Sequence, residues 1–450
     1  MTVTKIWDDS LSNDERTVPD VSISTAKPSK NPLGYTITYH GNGLTFADGS
    51  SVNDIVVNSS GKILSGQYME LTGSSGWYSD SRCTTKIELD SDGLPVNGIT
   101  SDLTLYAKAK TFVLKQGTSF YYLIPTTAIF VEFTDEVMPA SATPIKVDAD
   151  GDNGVVAWMD GTTMKVSTQT KGLKVQANPD SNDMFYGKTK LKNIDLTLLD
   201  TQNVTDMGSM FRSCSSLTTL DLTPLNTRNV TNMSSMFFGC SGLTNLDLTP
   251  LNTHKVSNMS DMFCNCNKLT TLDLTPLSTS NVTNMNGMFE NCRGLTSLDL
   301  TPLDTRNVTD MNSMFSGCSG LSSLDLSPLN TSKVTNMSNM FRNCSGLTDL
   351  DLTPLDMQNV TNISYIFFQC DKLTALNLSS LDTRGVTNMS YMFYGCSKLI
   401  NLSLGDKFTF VGSDYDLPKG TWYASDGTAY TSDGTTCTIP NNKSDTYTRR

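Results

Sequence analysis

Eleven cysteines, two histidines and a short run of alternating aspartates are the side chains of this 450-residue sequence with the strongest claim to chemistry. Eight of the cysteines, Cys214, Cys240, Cys266, Cys292, Cys318, Cys344, Cys370 and Cys396, recur at one constant interval. A line of thiols cannot converge on a tetrahedral zinc ion, and repeat-to-repeat spacing is too wide for disulfides, so buried thiols packing as small hydrophobes are expected. Cys264 falls off this beat on the expected outer face and reads as a free reactive thiol, while Cys83 and Cys437 read as unpaired. Asp148, Asp150 and Asp152 alternate as carboxylates do in a calcium loop, with Asn153 where such loops carry glycine and Met159 where they carry glutamate. The plainer reading is an acidic turn that feeds a strand over Val155 to Trp158, with a hairpin at Asp160-Gly161. His40 and His254 leave little material for histidine-based metal sites or acid/base chemistry, and His254, in a turn column with Arg228, Ser280 and Arg306, has no carboxylate or cysteine in register with it. No Gly-x-Ser-x-Gly, phosphate loop, dinucleotide fingerprint or His-Glu-x-x-His pattern occurs, so no enzyme and no cofactor other than calcium is expected.

Composition narrows the partners. With 38% hydrophobic and 17% charged residues the chain is folded matter. Its formal charge of −12 makes nucleic acid and anionic lipid poor partners. No window reaches the length of an apolar membrane span, so no membrane insertion is expected. The run from Phe120 to Phe133, interrupted by Pro125-Thr126-Thr127, reads as two strands around a turn. The first residues carry no apolar signal segment, which suits an excised piece of a longer secreted chain.

The elements that must position any site are set by an internal repeat. Val204 recurs as Val230, Val256, Val282, Val308, Val334, Val360 and Val386, in step with the cysteines and without insertion or deletion. One copy reads Val230, Met233, Met236, Phe237, Cys240, Leu243, Leu246, Leu248. The first four apolar positions after valine fall at i, i+3, i+4 and i+7, one face of a short helix, and Leu246 to Thr249 alternates like a half-buried strand. Strand, short helix and two turns within each such period predict an α/β solenoid of leucine-rich-repeat type, its parallel sheet buried by stacking of neighbouring coils. Asp195, Asp221, Asp247, Asp273, Asp299, Asp325 and Asp351 form a polar column on the strands, read as a solvated face.

Framework columns are committed to packing, so recognition must be written in the columns that vary. Two point away from the core on a helical wheel. One holds Arg212, Phe238, Cys264, Glu290, Ser316, Arg342, Phe368 and Tyr394; the other includes Asp261, Asn339, Tyr365 and Tyr391. Arg212, Phe238, Tyr365, Phe368, Tyr391 and Tyr394 are the candidate ligand-binding residues, the last four as an exposed aromatic patch. Contact with a C-terminal cap is the competing explanation of that patch.

The repeated Met-Phe-x-x-Cys-x-x-Leu-x-x-Leu-x-Leu run with Val-Thr-Asn-Met resembles the BspA-like leucine-rich-repeat surface proteins of bacteria. Tyr35 to Gly43, Gly76-Trp77-Tyr78 and Thr104 to Lys108 are similar to the β-grasp-like B repeats of internalin-type proteins, and Val3 to Asp9 with Val18 to Val21 resembles the start of a collagen-adhesin B-type domain. Five segments are expected: 1–34, a partial B-type segment or linker; 35–108, the B-repeat-like module; 109–181, a β-rich N-terminal cap; 182–404, the array; 405–450, a C-terminal β cap. These resemblances imply a modular protein displayed outside the cell as stalk plus recognition array; the expectation is a monomeric, non-catalytic, adhesin-like protein, secreted or held at the bacterial cell surface, whose array binds an extracellular host protein or glycan. A structural spacer or self-association module is the alternative, and a hydrolase hidden in residues 109–181 a third.

Overall fold

A computed structural model describes residues 34–450 and divides them into two units, the first ending at Ala109 and the second running from Lys110 to Arg450. The expected B-type segment at 1–34 lies outside the described residues apart from Gly34. The first unit is one six-stranded sheet built from β1 (Tyr35–His40), β2 (Val52–Val57), β3 (Ile63–Ser65), β4 (Ser74–Tyr78), β5 (Lys86–Ile87) and β6 (Leu103–Ala109), in the order β3-β2-β1-β6-β4-β5. Alternation along β1 and β6 turns Ile37, Tyr39, Leu105 and Ala107 inward, where they pack with Phe46, Ile55 and Trp77. No helix occurs among the described residues of this unit.

The second unit opens with α1 (Gly117–Leu123), β7 (Phe130–Thr134), β8 (Val156–Asp160), β9 (Thr163–Ser167), β10 (Val175–Gln176), β11 (Asn193–Asp195) and β12 (Leu199–Asp200). The sheet β11-β7-β9-β8 and the pair β10-β12 set the first coil of the array on an apolar base that includes Val131, Phe133, Met164 and Val166. Phe120 and its neighbours form α1, not the first of two strands. Three parallel strands, β13 (Asp349–Asp351), β14 (Ala375–Leu378) and β15 (Asn401–Leu404), then meet an antiparallel cap of β16 (Gly420–Tyr423), β17 (Ala429–Ser432) and β18 (Asp445–Arg449). One continuous core runs from Leu114 to Tyr447.

The repeats stack as expected, but their short helices do not exist; α1 is the one helix among the described residues. Each Val-to-Cys segment is a chain of overlapping turns, with Met210, Arg212 and Cys214 N–H groups donating to the carbonyls of Met207, Ser209 and Phe211. The intervening N–H groups cross to the next coil: Met207, Ser209, Phe211 and Ser213 donate to Asn232, Ser234, Met236 and Phe238, at 2.6 to 3.0 Å. Two residues in every coil make this possible by taking left-handed backbone, as at Ser209 (φ 53°) and Ser213 (φ 60°). A right-handed helix would spend those donors within the coil, whereas the turns deliver them to the neighbour.

The main ladder of the stack therefore runs along the Val-Thr-Asn-Met side, where Asp206, Asn232, Asn258, Asn284, Asp310, Asn336, Asn362 and Asn388 bridge in parallel from coil to coil. On the Leu-Asp-Leu side, where the continuous sheet was expected, several middle copies touch through long bonds, such as 3.4 Å from Thr244 to Thr218 and 3.5 Å from Thr296 to Thr270. The stacked aspartates there repel one another. Each also opens an Asx turn, Asp247 accepting the N–H of Thr249 at 2.9 Å, a bond that holds its carboxyl below the usual range.

Inside the stack, Phe185, Phe211, Phe237, Phe263, Phe289, Phe315, Phe341, Phe367 and Phe393 form a column of rings with centroids 5.5 to 6.1 Å apart. Buried threonines tie the opposite edge: Thr279 Oγ1 donates to Asp304 O at 3.1 Å and accepts the Asp304 N–H at 2.7 Å, a pattern repeated at Thr227, Thr253, Thr305 and Thr331.

Candidate functional site

The variable columns lie on the ladder side of the coils. Tyr365 and Tyr391 stack with centroids 5.0 Å apart, and Phe368 stacks on Tyr394 at 4.8 Å. Tyr365 also meets Phe368 at 5.5 Å and Tyr391 meets Tyr394 edge-on at 6.4 Å, closing the four rings into one patch. Arg342, one coil earlier, lies 4.9 Å from the Phe368 ring and 5.6 Å from Tyr365, a cation–π cover at the edge of the patch. The C-terminal cap continues the backbone ladder, Asp414 and Tyr415 accepting the N–H groups of Tyr391 and Phe393, yet it leaves Tyr391 38% and Tyr394 46% exposed. Cap contact therefore does not account for these rings.

Tyr365 (φ 59°) and Tyr391 (φ 57°) occupy the left-handed position of their coils. Earlier coils place Ser209, Ser235, Asp261, Gly287, Ser313 and Asn339 there, smaller residues that suit it better. A bulky side chain in this region is strained by about 1 to 2 kcal/mol, and such strain gathers at functional positions.

Arg212 and Phe238 do not join this patch. Four coils, each advancing the phenylalanine column by 5.8 to 5.9 Å, separate Phe238 from Arg342. They belong to a second cluster instead: Arg212 lies 4.2 Å from Phe238 and 5.8 Å from Tyr186, which packs edge-on against Tyr121 beside Tyr122. Tyr121, Tyr122 and Tyr186 were missed in the sequence, although Tyr186 stands one full repeat before Arg212 and so in its column.

Between the clusters lie Asp261, Cys264 and Glu290, their ligand atoms within 4.8 Å of one another. Cys264 is 2% exposed, not the surface thiol the helical wheel suggested; it lies outside the apolar core, against Asp261 and Glu290, with the Asn265 amide donating to its sulfur at 3.2 Å. Burial, with the carboxylates of Glu290 and Asp261, pushes its thiol far up. Asp261 and Glu290 are likewise raised, first by burial.

All eight column thiols are buried and free, and each donates to the carbonyl of the phenylalanine in the preceding coil, as Cys292 does to Phe263 at 3.1 Å. They are thus hydrogen-bonded as well as packed. Burial pushes Cys240, Cys318 and Cys396 up to about 12 and the others well above their usual value. His254 is exposed, its Nδ1 3.0 Å from Ser278 Oγ.

The family model described as "Mycoplasma protein of unknown function, DUF285" matches residues 179–298 and 283–407, half of the chain. The chain belongs to this family. Among solved structures, a leucine rich cell surface protein from Faecalibacterium prausnitzii is 15% identical, covering 70% of this chain and 92% of its own, at a TM-score of 0.24. A chain of a TLR13–ssRNA13 complex is 18% identical, covering 50% of this chain and 38% of its own, at a TM-score of 0.21. Both superpose poorly, and neither bears on what this chain does. No curated protein matches it. The DUF285 match takes in both ring clusters from Tyr186 onward, but it begins after the Asp148 loop.

In that loop, ahead of the DUF285 repeats, Asp148, Asp150 and Asp152 bring ligand atoms within 4.8 Å of one another. Burial, then the neighbouring Asp152 and Asp150, pushes the Asp148 carboxyl up to about 6.

Proposed function

We propose that this DUF285 protein is a non-catalytic, adhesin-like bacterial surface protein, in which a solenoid of leucine-rich-repeat type presents Tyr365, Phe368, Tyr391 and Tyr394 to an extracellular host protein or glycan. The β-rich segments at 35–108 and 109–181 would hold the array away from the envelope. The observation that carries the reading is the placement of two tyrosines in strained left-handed positions that other coils fill with small residues, with the Tyr391 and Tyr394 rings left open to solvent and Tyr365 half-buried. The stacked rings do no more than offset the strain, so packing gives no net gain over the small residues of the other coils. Large amphipathic rings flanked by an arginine are the usual anchors of binding surfaces. The test is binding of the whole chain to immobilised extracellular-matrix proteins and a glycan array, at low and physiological salt. Saturable binding that survives salt and is lost on Tyr391→Ser with Tyr394→Ser, the far-UV circular dichroism unchanged, supports the reading. Binding indifferent to both substitutions would sink it. The uninterrupted ladder of coil-to-coil bonds favours a second role as spacer or self-association module, which predicts no saturable ligand.

A further inference from the structure

The geometry points to a calcium site in the loop of Asp148, Asp150 and Asp152, outside the repeats and independent of the aromatic patch. The loop is pinned at both ends. Before it, Lys115 N–H donates to Val147 O and Ala149 N–H to Val113 O, both at 2.9 Å; after it, β8 begins at Val156. Gly154 lies so close to Thr111 that a Cβ there would fall 1.7 Å from the Thr111 carbonyl oxygen. Asn153 takes left-handed backbone (φ 59°), so the sixth loop position has the conformation for which calcium loops keep a glycine.

The hydrogen bonds orient the carboxylates. Asp148 Oδ2 accepts the Asn153 N–H at 3.1 Å and Asp150 Oδ1 that of Asp152 at 3.2 Å. Asp152 accepts from Gly154 at 2.7 Å and from Thr111 at 2.8 Å. Asp148 is only 3% exposed, one of its carboxylate oxygens lies within 4.8 Å of ligand oxygens of the other two aspartates, and its Oδ1 has no hydrogen-bond partner. A buried carboxylate oxygen that faces two more carboxylates is costly until a cation or a donor meets it. The Lys115 ammonium does not, because it sits on the Asp148 backbone carbonyl at 2.8 Å. An all-oxygen set of this kind suits a hard divalent ion, and carboxylates spaced along one irregular loop suit calcium over magnesium, which demands a near-ideal octahedron. Met159 stands at the twelfth position, so the bidentate carboxylate of the tightest loops is lacking and the dissociation constant should fall on the order of 10⁻⁴ to 10⁻³ M.

Calorimetric titration of the EGTA-treated whole chain with calcium chloride, paired with thermal melts, tests this. The expected result is one calcium per chain and a folding equilibrium shifted about ten-fold at ten times the dissociation constant. Asp148→Asn and Asp152→Asn should each abolish both effects. In EGTA, Asp148→Asn should melt no lower than the unsubstituted chain, since an amide donor replaces a charge facing two others; this separates lost binding from lost folding. Absence of any calcium-dependent heat or melting shift overturns the site, as does a shift that survives Asp148→Asn. Magnesium binding as tightly as calcium overturns the assignment to calcium.

Discussion

Raising the pH should dismantle the array through its own cysteines. The eight column thiols are buried and donate to carbonyls of the preceding coil, so the folded chain keeps them protonated to about pH 12 or beyond. In the unfolded chain they ionise near 8.5. The folded value is raised, so the stabilisation is complete below pH 8.5 and is lost as pH climbs toward the folded value. One unit above the unfolded value each thiol removes about 1.4 kcal/mol, and eight remove about 11 kcal/mol, as much as the whole stability of many domains. Because each coil carries one thiol and leans only on its neighbours, the loss is spread evenly along the stack. Melts followed by circular dichroism at pH 7.0, 8.0, 9.0 and 9.5 under reducing conditions should show melting temperatures that fall steeply above pH 8.5. In a Cys83→Ser chain, thiolate absorbance near 240 nm should rise only as the structure is lost. Replacing Cys266, Cys292, Cys318 and Cys344 with alanine should halve the slope against pH. Equal melting temperatures at pH 7.0 and 9.5, or column thiolate appearing near pH 8.5 in the folded Cys83→Ser chain, would refute the reasoning.

Two further outcomes follow from the stack. Thr279→Val keeps the shape of a buried side chain but leaves the Asp304 N–H without the acceptor it holds at 2.7 Å, and should cost about 2 kcal/mol in urea unfolding; a cost below about 0.5 kcal/mol would show that the threonine ladder only fills space. Tyr365→Asn with Tyr391→Asn relieves two left-handed tyrosines while removing their ring contacts, gains and losses of about 2 kcal/mol each, so stability should stay within about 1 kcal/mol of the starting chain as ligand binding disappears.

The constant beat of the repeat made the core legible: the valine, methionine, phenylalanine and cysteine columns expected inside are almost all fully buried. What the apolar spacing could not distinguish was a helix from a run of overlapping turns, since both return a side chain to the same face after three or four residues. The distinguishing signal lay in the polar positions. Ser213, Gly239, Asn265, Asn291, Gly317, Asn343 and Gly395 recur on the same beat, and all have positive φ. Glycine and asparagine at one fixed position of copy after copy mark left-handed backbone, which no helix interior accepts. Cys264 shares its column with Phe238 and Tyr394; the wheel gave the face but not the neighbours, Asp261, Asn265 and Glu290, that crowd its sulfur. The aromatic quartet was legible because its residues share columns in adjacent copies. Tyr121 and Tyr122 were not, since they reach the second cluster from α1, outside the repeat.

The turn architecture also explains why this stack can carry a binding face without loosening its core. In a helical coil the donors facing the neighbour are spent internally, and cohesion rests on side chains alone. Here four N–H groups per coil bond the next coil directly, and two of the donors, such as Ser209 and Ser213, are the left-handed residues themselves, so the side chain at that position is released from any structural duty except tolerance of its backbone. Serine, aspartate, glycine and asparagine meet that requirement cheaply, and tyrosine meets it at a cost. In coils seven and eight the cost is met twice at the same position, which brings Tyr365 and Tyr391 into ring contact and sets Phe368 on Tyr394 beside them. A lone tyrosine there would bear the strain without a stacking partner. The pairing makes the two substitutions interdependent, and a double-mutant cycle between Tyr365 and Tyr391 reads that coupling directly.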